Sequence, residues 1–436
     1  MVFSLGLDTG DTTWIILAGA LVFMMIPALA LFEAGLLRRK NAVSVFMQVV
    51  FGLGFLSMMW FLFGFSMAFG PDTSGGLIGG SDFVFLKGVP WDEPLEQYAP
   101  TIPGMSFVQF QMVVAVVTPL LLTGVIAERM KFKSFIIFIA AWSIFIYYPL
   151  VHWVWGGGWL AQLGVADFAG GIVIHTAAGM SALAAAIVLG RRKGFGPAIM
   201  VPHNIPLAVF GASLLWLGWF GFNAGSALTA VGGIASNTII VTHMSSSAAA
   251  LVWIALSWKR TGKPSVVAGI NGALAGLVGI TPAAGFVSVE HAVLIGLGIG
   301  FASYAGLIIF KEKLRIDDAL DVSAVHGVAG IVGSLAVGIF ASAVINPTGP
   351  VGALFGNVAQ LGSQALGVGV AITLGFGGTF IIMKIIKAVM GVRVSEKVEE
   401  DGLDLGEHAE EAYADEEEYK LGDEEYKLGK DKSKEN

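Results

Sequence analysis

Long apolar runs dominate the chain, and its polar positions gather in short stretches between them. A bilayer core about 30 Å thick is crossed by about 20 apolar residues in helical conformation. The pattern therefore predicts an all-α polytopic membrane protein with eleven transmembrane helices. The predicted spans are residues 14–36, 43–69, 107–128, 135–155, 169–190, 206–224, 237–258, 265–283, 288–310, 323–342 and 361–390.

Composition supports this fold class and narrows the chemistry. Of 436 residues, 55% are hydrophobic and only 13% are charged, as is typical of a membrane protein and not of one that binds nucleic acid. The chain has no cysteine, which excludes disulfides, thiolate catalysis and cysteine metal sites. No positively charged segment precedes the first apolar run, so we expect no cleavable signal peptide.

Basic residues predict the orientation of the chain. Each odd-numbered connection between predicted spans is basic, beginning with "RRK" at 38–40, whereas the even-numbered connections contain one basic residue, Lys87. Because cytoplasmic loops carry the excess of Lys and Arg, the N-terminus is predicted outside and the C-terminus in the cytoplasm of a multi-pass plasma-membrane protein.

A short internal similarity indicates a repeat. "HTAAG" at 175–179 and "HGVAG" at 326–330 lie in the fifth and tenth spans, and each follows an aspartate, Asp167 or Asp321. Two halves of five helices would face opposite ways because five is odd. The pattern thus predicts an inverted repeat of five plus five helices, with one extra C-terminal helix.

The last part of the chain has a different composition. Residues 1–390 are predicted to form the transmembrane domain, and residues 391–436 a cytoplasmic tail rich in acidic residues. The tail contains a near-duplicate, "DEEEYKLG" and "DEEYKLG", and too few apolar residues to fold alone. We expect it to be largely disordered after about residue 413.

Four histidines lie in or beside apolar spans, and two of these occupy matching positions. His175 and His326 stand in Gly- and Ala-rich stretches that allow helices to approach closely. If the two imidazoles meet, burial and mutual repulsion favour their neutral forms, which can accept and donate protons. The other interpretation is a hydrogen-bonded packing role, which is common for buried histidines such as His152 and His243.

Asp167 precedes the fifth span, where a carboxylate caps free backbone N–H groups. Eight residues separate it from His175, which corresponds to about 12 Å of helical rise, so no contact between the two is expected. We predict a structural role for Asp167 at the outer mouth.

Aromatic residues cluster at the outer ends of the fourth and sixth spans, in "HWVWGGGWL" (152–160) and "GWFGFNAGS" (218–226). They could form an interfacial aromatic belt. They could also form a cup whose ring faces bind a small cation, with Ser226 as a hydroxyl acceptor. The residues themselves leave both interpretations open.

Signatures of hydrolytic enzymes are missing. "GGG" at 156–158 is not followed by the Lys and Ser or Thr of a phosphate loop, and neither H-E-x-x-H nor G-x-S-x-G occurs. The sequence therefore favours a non-enzymatic transporter without cofactor or metal. An intramembrane enzyme using the histidines with Glu33 is the weaker alternative, because no nucleophile or metal set accompanies them.

Several long motifs resemble the ammonium transporter (Amt/Rhesus) family. They are "FQMVVAVVTPLLLTGVIAER", "VWGGGWLAQLGVADFAGGIVIH", "PHNIPL", "GWFGFNAGSAL", "AGLVGITPAAGFV" and "IDDALDVSAVHGVAGIVGSLAVGIF". The resemblance implies a homotrimer with one pore per subunit. It also implies an ammonium and ammonia substrate, and a tail that contacts PII-type nitrogen regulatory proteins.

The resemblance also implies roles for particular residues, carried over by motif. Phe110, Trp155 and Ser226 match an outer recruitment site. Phe222 matches the inner ring of a phenylalanine constriction, His175 and His326 match a pair of pore histidines, and Asp167 matches a structural aspartate.

Three positions depart from the family pattern. Val114 stands where a second constriction phenylalanine is common, Glu33 replaces a usual tyrosine, and His243 is unusual. We expect a pore that recruits ammonium, removes its proton and passes ammonia into the cytoplasm, with a gate that differs in detail. The alternative is an ammonium sensor of the same fold that signals through its tail.

Overall fold

A computed structural model describes residues 6–196 and 200–413, and this part of the chain forms eleven apolar helices. Ten of them are long and apolar enough to span a membrane, and α8 is shorter, which agrees with the eleven helices predicted. The helices are α1 (Thr9–Leu36), α2 (Arg39–Phe69), α3 (Gly104–Ile126), α4 (Phe132–Gln162), α5 (Gly171–Leu189), α6 (Ile205–Gly225), α7 (Val231–Thr261), α8 (Val266–Ile280), α9 (Val289–Lys313), α10 (Ser323–Phe340) and α11 (Ala359–Val389).

Short strands and helices lie outside the eleven long helices. A two-stranded antiparallel sheet, β1 (Pro94–Leu95) and β2 (Ala99–Pro103), lies between α2 and α3. After α11 the chain forms two short helices, α12 (Glu396–Asp401) and α13 (Asp404–His408).

The two halves of the bundle meet through matching helices, as the inverted repeat predicts. α1 packs along α6, and α5 packs against the start of α10, so the first and fifth helices of each half contact their counterparts. Glycine permits the second crossing, because a Cβ atom on Gly179 would lie 2.0 Å from the backbone nitrogen of Gly327. The backbones at the centre of the bundle are therefore in direct contact.

α5 and α10 both begin with a π-helical turn, Gly171–Thr176 and Ser323–Val328. A π turn leaves extra backbone groups without the usual partner four residues away, so the helix start needs another acceptor. The Asp167 carboxylate supplies it for α5. Its two oxygens accept four backbone N–H groups, those of residues 170–173, at 2.7–3.0 Å.

The corresponding residue of the second half is Asp318, and our alignment of Asp321 with Asp167 is wrong. Asp318 is buried and accepts hydrogen bonds from the backbone N–H and the hydroxyl of Ser323, at 2.6 and 2.7 Å. It precedes His326 by eight residues, as Asp167 precedes His175. Asp321 instead pairs with Lys311 at 2.6 Å. The aspartate that corresponds to Asp167 thus lies three residues before the one that the sequence motif suggested.

The basic connections lie together at one end of the bundle, which we call the basic end. Buried charges join four of them. Arg192 donates to Glu128 at 2.8 Å and to Asp317 at 2.7 Å, and Arg38 donates to Glu128 at 3.0 Å. These contacts link the connections that follow α1, α3, α5 and α9. Four of the five odd-numbered connections therefore meet at one end of the bundle, as their shared positive charge predicts.

The network sets the protonation of its carboxylates. Burial opposes the charged form of Glu128, but the charge of Arg192 and the hydrogen bonds of Arg38 outweigh it and lower the pKa of Glu128. Burial likewise opposes ionisation of Asp317, and the Arg192 hydrogen bonds overcome it and lower the pKa of Asp317. This stability is present above the ordinary carboxyl pKa values and is lost as the pH falls through the lowered ones.

The C-terminal segment, residues 391–413, packs on the basic end. Glu399 accepts a hydrogen bond from the Lys193 backbone at 2.7 Å, and Asp404 accepts one from the Ser44 backbone at 2.8 Å. The segment thus contacts the connection after α5 and the first turns of α2. The predicted disorder after about residue 413 concerns residues 414–436, which lie outside the described residues.

We predict that Arg192→Met strongly destabilises the fold, because it removes the arginine that pairs with buried Asp317 and one of the two arginines that pair with buried Glu128. The expected cost is about 3–5 kcal/mol. Arg260→Met is the control, since Arg260 pairs with Glu312 at an exposed position and its loss should cost about 0–1 kcal/mol. Thermal unfolding in detergent measures both, and equal midpoints would contradict the assigned role of the network.

We also predict that Asp167→Ala destabilises α5. Four buried N–H groups lose their acceptor, and loss of a cap together with unsatisfied buried donors should cost at least about 2 kcal/mol. Asp8→Ala provides the control, because Asp8 caps α1 through one N–H group, that of Asp11. Hydrogen exchange of the amides at the start of α5 would rise in the first variant only. Unchanged protection there would show that the carboxylate does not hold the turn.

Candidate functional site

A cavity of about 260 Å³ opens at the end of the bundle opposite the basic end. Aromatic side chains dominate its lining, and they come from different parts of the chain: Phe69, Tyr98, Phe107, Phe110, Trp155 and Phe168. Val114 and Ser226 also line it. The structure therefore brings the three residues of the expected recruitment site, and Val114, to one cavity.

Two hydrogen bonds position the walls of this outer cavity. Trp155 follows the last regular turn of α4, and its indole N–H donates to the carbonyl of Asp167 at 2.7 Å. Ser226 ends α6, and its hydroxyl donates to the carbonyl of Phe222 at 3.0 Å. The Ser226 oxygen thus keeps acceptor capacity for a second partner. Asp167 serves two elements, because its carboxylate caps α5 while its carbonyl holds the indole.

Ring faces and a hydroxyl acceptor suit a small cation. Aromatic rings attract cations by about 0.5–2 kcal/mol per contact, depending on how far the cation is desolvated. The cavity contains more aromatic residues than the sequence motifs identified. Tyr98 stacks on Phe107, with ring centroids 5.6 Å apart and planes within 2°. The sequence did not predict a role for Tyr98, because it lies in the loop between α2 and α3, outside the apolar spans.

Phe222 contacts the lining of the outer cavity through Ser226 and itself lines a second, smaller cavity. Its carbonyl contacts Ser226 on the outer side, and its ring lines an inner cavity of about 30 Å³. The ring is 2% exposed. Val114 lines the outer cavity and is not among the residues that line the inner one.

The inner cavity contains the two histidines. His175 Nδ1 and His326 Nδ1 lie 3.2 Å apart, and the ring centroids are 5.3 Å apart. Two ring nitrogens at hydrogen-bond distance require one donor and one acceptor, so one of the two must be unprotonated at Nδ1. The pair therefore shares a single proton between its facing nitrogens. The rest of the cavity lining is almost entirely apolar.

Each histidine lies in one of the two π turns, and α5 and α10 thus contribute equivalent residues to the inner cavity. The Nε2 atom of His175 is buried and has no hydrogen-bond partner among the residues described. A buried nitrogen of this kind can bind a small polar molecule in the cavity. As expected, no contact between Asp167 and His175 is found in the described part of the chain.

Trp219 is a further residue of this site that the motifs did not reveal. Its ring stacks on His175 with centroids 5.5 Å apart, and its N–H donates to Thr281 on the far side at 2.9 Å. The indole therefore fixes the orientation of the imidazole. Only a weak signal for this role is present in the sequence, because Trp219 lies in the "GWFGFNAG" run that an aromatic belt would also explain.

The remaining departures from the family pattern, Glu33 and His243, do not line either cavity. Glu33 is buried near the basic end of α1, with 2% of its surface exposed. His243 is exposed on α7 and contacts the rings of Trp216 and Phe220. Within residues 6–196 and 200–413, no group of three or more acidic or histidine side chains is arranged to hold a metal ion.

Comparisons with known proteins agree with this architecture. A model of the Ammonium Transporter Family matches residues 13–413. Ammonium transporter 1 of Dictyostelium discoideum is 51% identical over 409 residues, covering 93% of this chain and 88% of the relative. Ammonium transporter Amt1 of Archaeoglobus fulgidus is 44% identical, covering 93% of this chain and all of the relative.

Solved structures show the same fold. A protein described as a "Sensor Amt Protein" superposes with a TM-score of 0.84 at 34% identity, covering 92% of this chain and 98% of its own. Mep2 of Saccharomyces cerevisiae gives a TM-score of 0.83 at 32% identity, covering 90% and 89%. With the family match over nearly the whole chain, these likenesses show that the chain belongs to the ammonium transporter family.

Proposed function

We propose that this protein transports ammonium across the plasma membrane, with the basic end and the C-terminal segment in the cytoplasm. The observation that carries the proposal is an aromatic outer cavity together with an apolar inner cavity that contains a histidine pair. Relatives named as ammonium transporters support the choice of substrate. The basic connections support the orientation through the positive-inside rule.

Recruitment takes place in the outer cavity. Ammonium binds against the rings of Phe110 and Trp155 and donates a hydrogen bond to the Ser226 oxygen. This site selects for a cation but does not by itself distinguish ammonium from potassium, which has the same charge and a similar size. Discrimination between the two ions must therefore depend on a property of ammonium that potassium lacks.

That property is the ability to lose a proton. Beyond Phe222 the pore is narrow and apolar, and it excludes any ion that retains its charge. Desolvation favours the neutral form of an amine, so ammonium releases its proton before it enters. Ammonia then passes Phe222 without carrying a charge into the inner cavity.

The histidine pair gives ammonia a polar path through this apolar region. Neutral imidazoles accept and donate hydrogen bonds without placing a fixed cation in the membrane. The shared proton between His175 and His326 and the free Nε2 atom of His175 support a role in hydrogen bonding to ammonia and in relaying the separated proton. No covalent chemistry is involved, so we propose a transporter and not an enzyme.

A homotrimer is part of the same proposal. His243 is exposed on α7 in a segment that crosses the membrane, and an ionisable side chain facing lipid is costly. Contact with another subunit would cover it. The mass of the detergent-solubilised protein, measured by light scattering, should correspond to three chains, and a monomeric mass would refute this assembly.

A sensor role is the second candidate. The solved structure described as a "Sensor Amt Protein" favours it, as does the contact of the C-terminal segment with the start of α2 through Asp404 and Ser44. A PII-type protein that binds this segment could report on the pore. Co-purification with a PII-type protein tests the partner, whereas the transport assay below separates the two functions, because a sensor without transport gives no flux.

We predict that Val114→Phe lowers ammonia flux several-fold without abolishing selectivity. A phenyl group would fill part of the outer cavity beside Phe110 and narrow the approach to Phe222. The measurement is stopped-flow flux in proteoliposomes, with ammonium, methylammonium and potassium compared in wild type and variant.

Val114→Ala is the matched control, because it widens the same position and should not lower the flux. If Val114→Phe admits potassium, the gate has been misplaced. If the wild type shows no ammonium flux above empty liposomes, the proposed transport function is wrong.

A further inference from the structure

Glu33 is a buried carboxyl group that the proposed pathway does not use. It belongs to α1, is 2% exposed, and is contacted only by neutral groups within the described part of the chain. A buried ionisable group without a charged partner is expensive in a membrane protein and usually has a function. Its position in the fold indicates which function this is.

Three helices that line the inner cavity, α1, α3 and α10, meet at Glu33 on the side of the cavity nearer the basic end. In α1, Leu29 lines the cavity, and Glu33 lies four residues further on the same face. In α3, Leu121 lines the cavity, and Thr123 follows one half-turn later. The Thr123 hydroxyl lies 2.6 Å from Glu33 Oε2.

The third of these helices is α10. His326 lines the cavity, and Val322 lies four residues before it, one turn nearer the basic end. A Cβ atom on Gly124 would lie 2.9 Å from the Val322 side chain and 3.0 Å from Glu33 Oε1. The carboxyl group is therefore packed where α1, α3 and α10 meet, one helical turn beyond the histidine pair.

The hydrogen bonds around Thr123 indicate the form of the carboxyl group. The Thr123 oxygen lies 2.6 Å from Glu33 Oε2 and 2.5 Å from the carbonyl oxygen of Leu120. A hydroxyl has one proton, so it cannot donate to both oxygens. Both contacts are satisfied when Glu33 is in its acid form and donates to the hydroxyl, which in turn donates to the carbonyl.

We propose that Glu33 is the proton donor at the cytoplasmic exit of the pore, an inference that rests on the proposed function. Ammonia leaving the histidine pair takes the carboxyl proton: the O–H bond of Glu33 breaks, an N–H bond forms, and the products are ammonium and the Glu33 carboxylate. The carboxylate then takes a proton from water at the basic end, which restores the acid. Ammonium, now charged, leaves into the cytoplasm and does not return through the apolar cavity.

The test is Glu33→Gln in reconstituted proteoliposomes. The glutamine side chain keeps the size of glutamate, and its amide N–H can still donate to the Thr123 oxygen, but it has no acid proton to give to ammonia. We expect the maximal rate of methylammonium uptake to fall about tenfold or more, as for loss of a general acid. The half-saturating concentration should stay the same, because the outer cavity sets it. The thermal midpoint should also stay the same.

Glu33→Asp is the matched control, since it keeps the carboxyl group and should restore a large part of the rate. An unchanged rate in Glu33→Gln would overturn the proposal, and so would a Glu33→Asp variant that is as slow as Glu33→Gln while equally stable. These outcomes are distinct from failure of the proposed function, in which the wild type itself would not take up methylammonium.

Discussion

The contact between His175 and His326 places the strictest demand on this structure. Two imidazoles meet at 3.2 Å in an apolar cavity, and each comes from a different half of the chain. Charging both would place two cations side by side in a medium that solvates neither. The helices around them must therefore keep the site dry, hold the rings in register and bring the two backbones close.

Each of these requirements is met by a feature of the surrounding helices or their connections. Gly179 and Gly327 allow α5 and α10 to touch. The π turns rotate the histidines into the cavity, and Asp167 and Asp318 supply the acceptors that such turns need. At the basic end, buried ion pairs fix the connection that follows α5 and the connection that precedes α10, and the C-terminal segment is attached to the same surface. The stability of the basic end and the geometry of the pore thus depend on one another.

The sequence predicted the number of helices because each apolar run is long enough to cross a bilayer, a property that needs no tertiary information. It also predicted the meeting of His175 and His326, since repeat symmetry and the family motifs both pointed to it. It paired Asp321 with Asp167, whereas Asp318 takes the corresponding position, because Asp318 and Asp321 lie in the same acidic stretch and only the backbone distinguishes them. Tyr98 and Trp219 were missed because a loop and an aromatic-rich helix end give no signal of what their side chains contact. The hydrogen-bond pattern around Glu33 depends on distances between three helices, so no reading of the chain could have provided it.

The central claim is that the pore conducts only what can lose its proton. Recording currents from proteoliposomes on a solid-supported membrane tests it directly, with ammonium and potassium applied in turn at equal concentration to the wild-type protein. The account predicts that any current is confined to ammonium and that potassium gives no more than protein-free liposomes. Potassium currents equal to those of ammonium would contradict it, because they would mean that an ion keeping its charge passes the histidine pair.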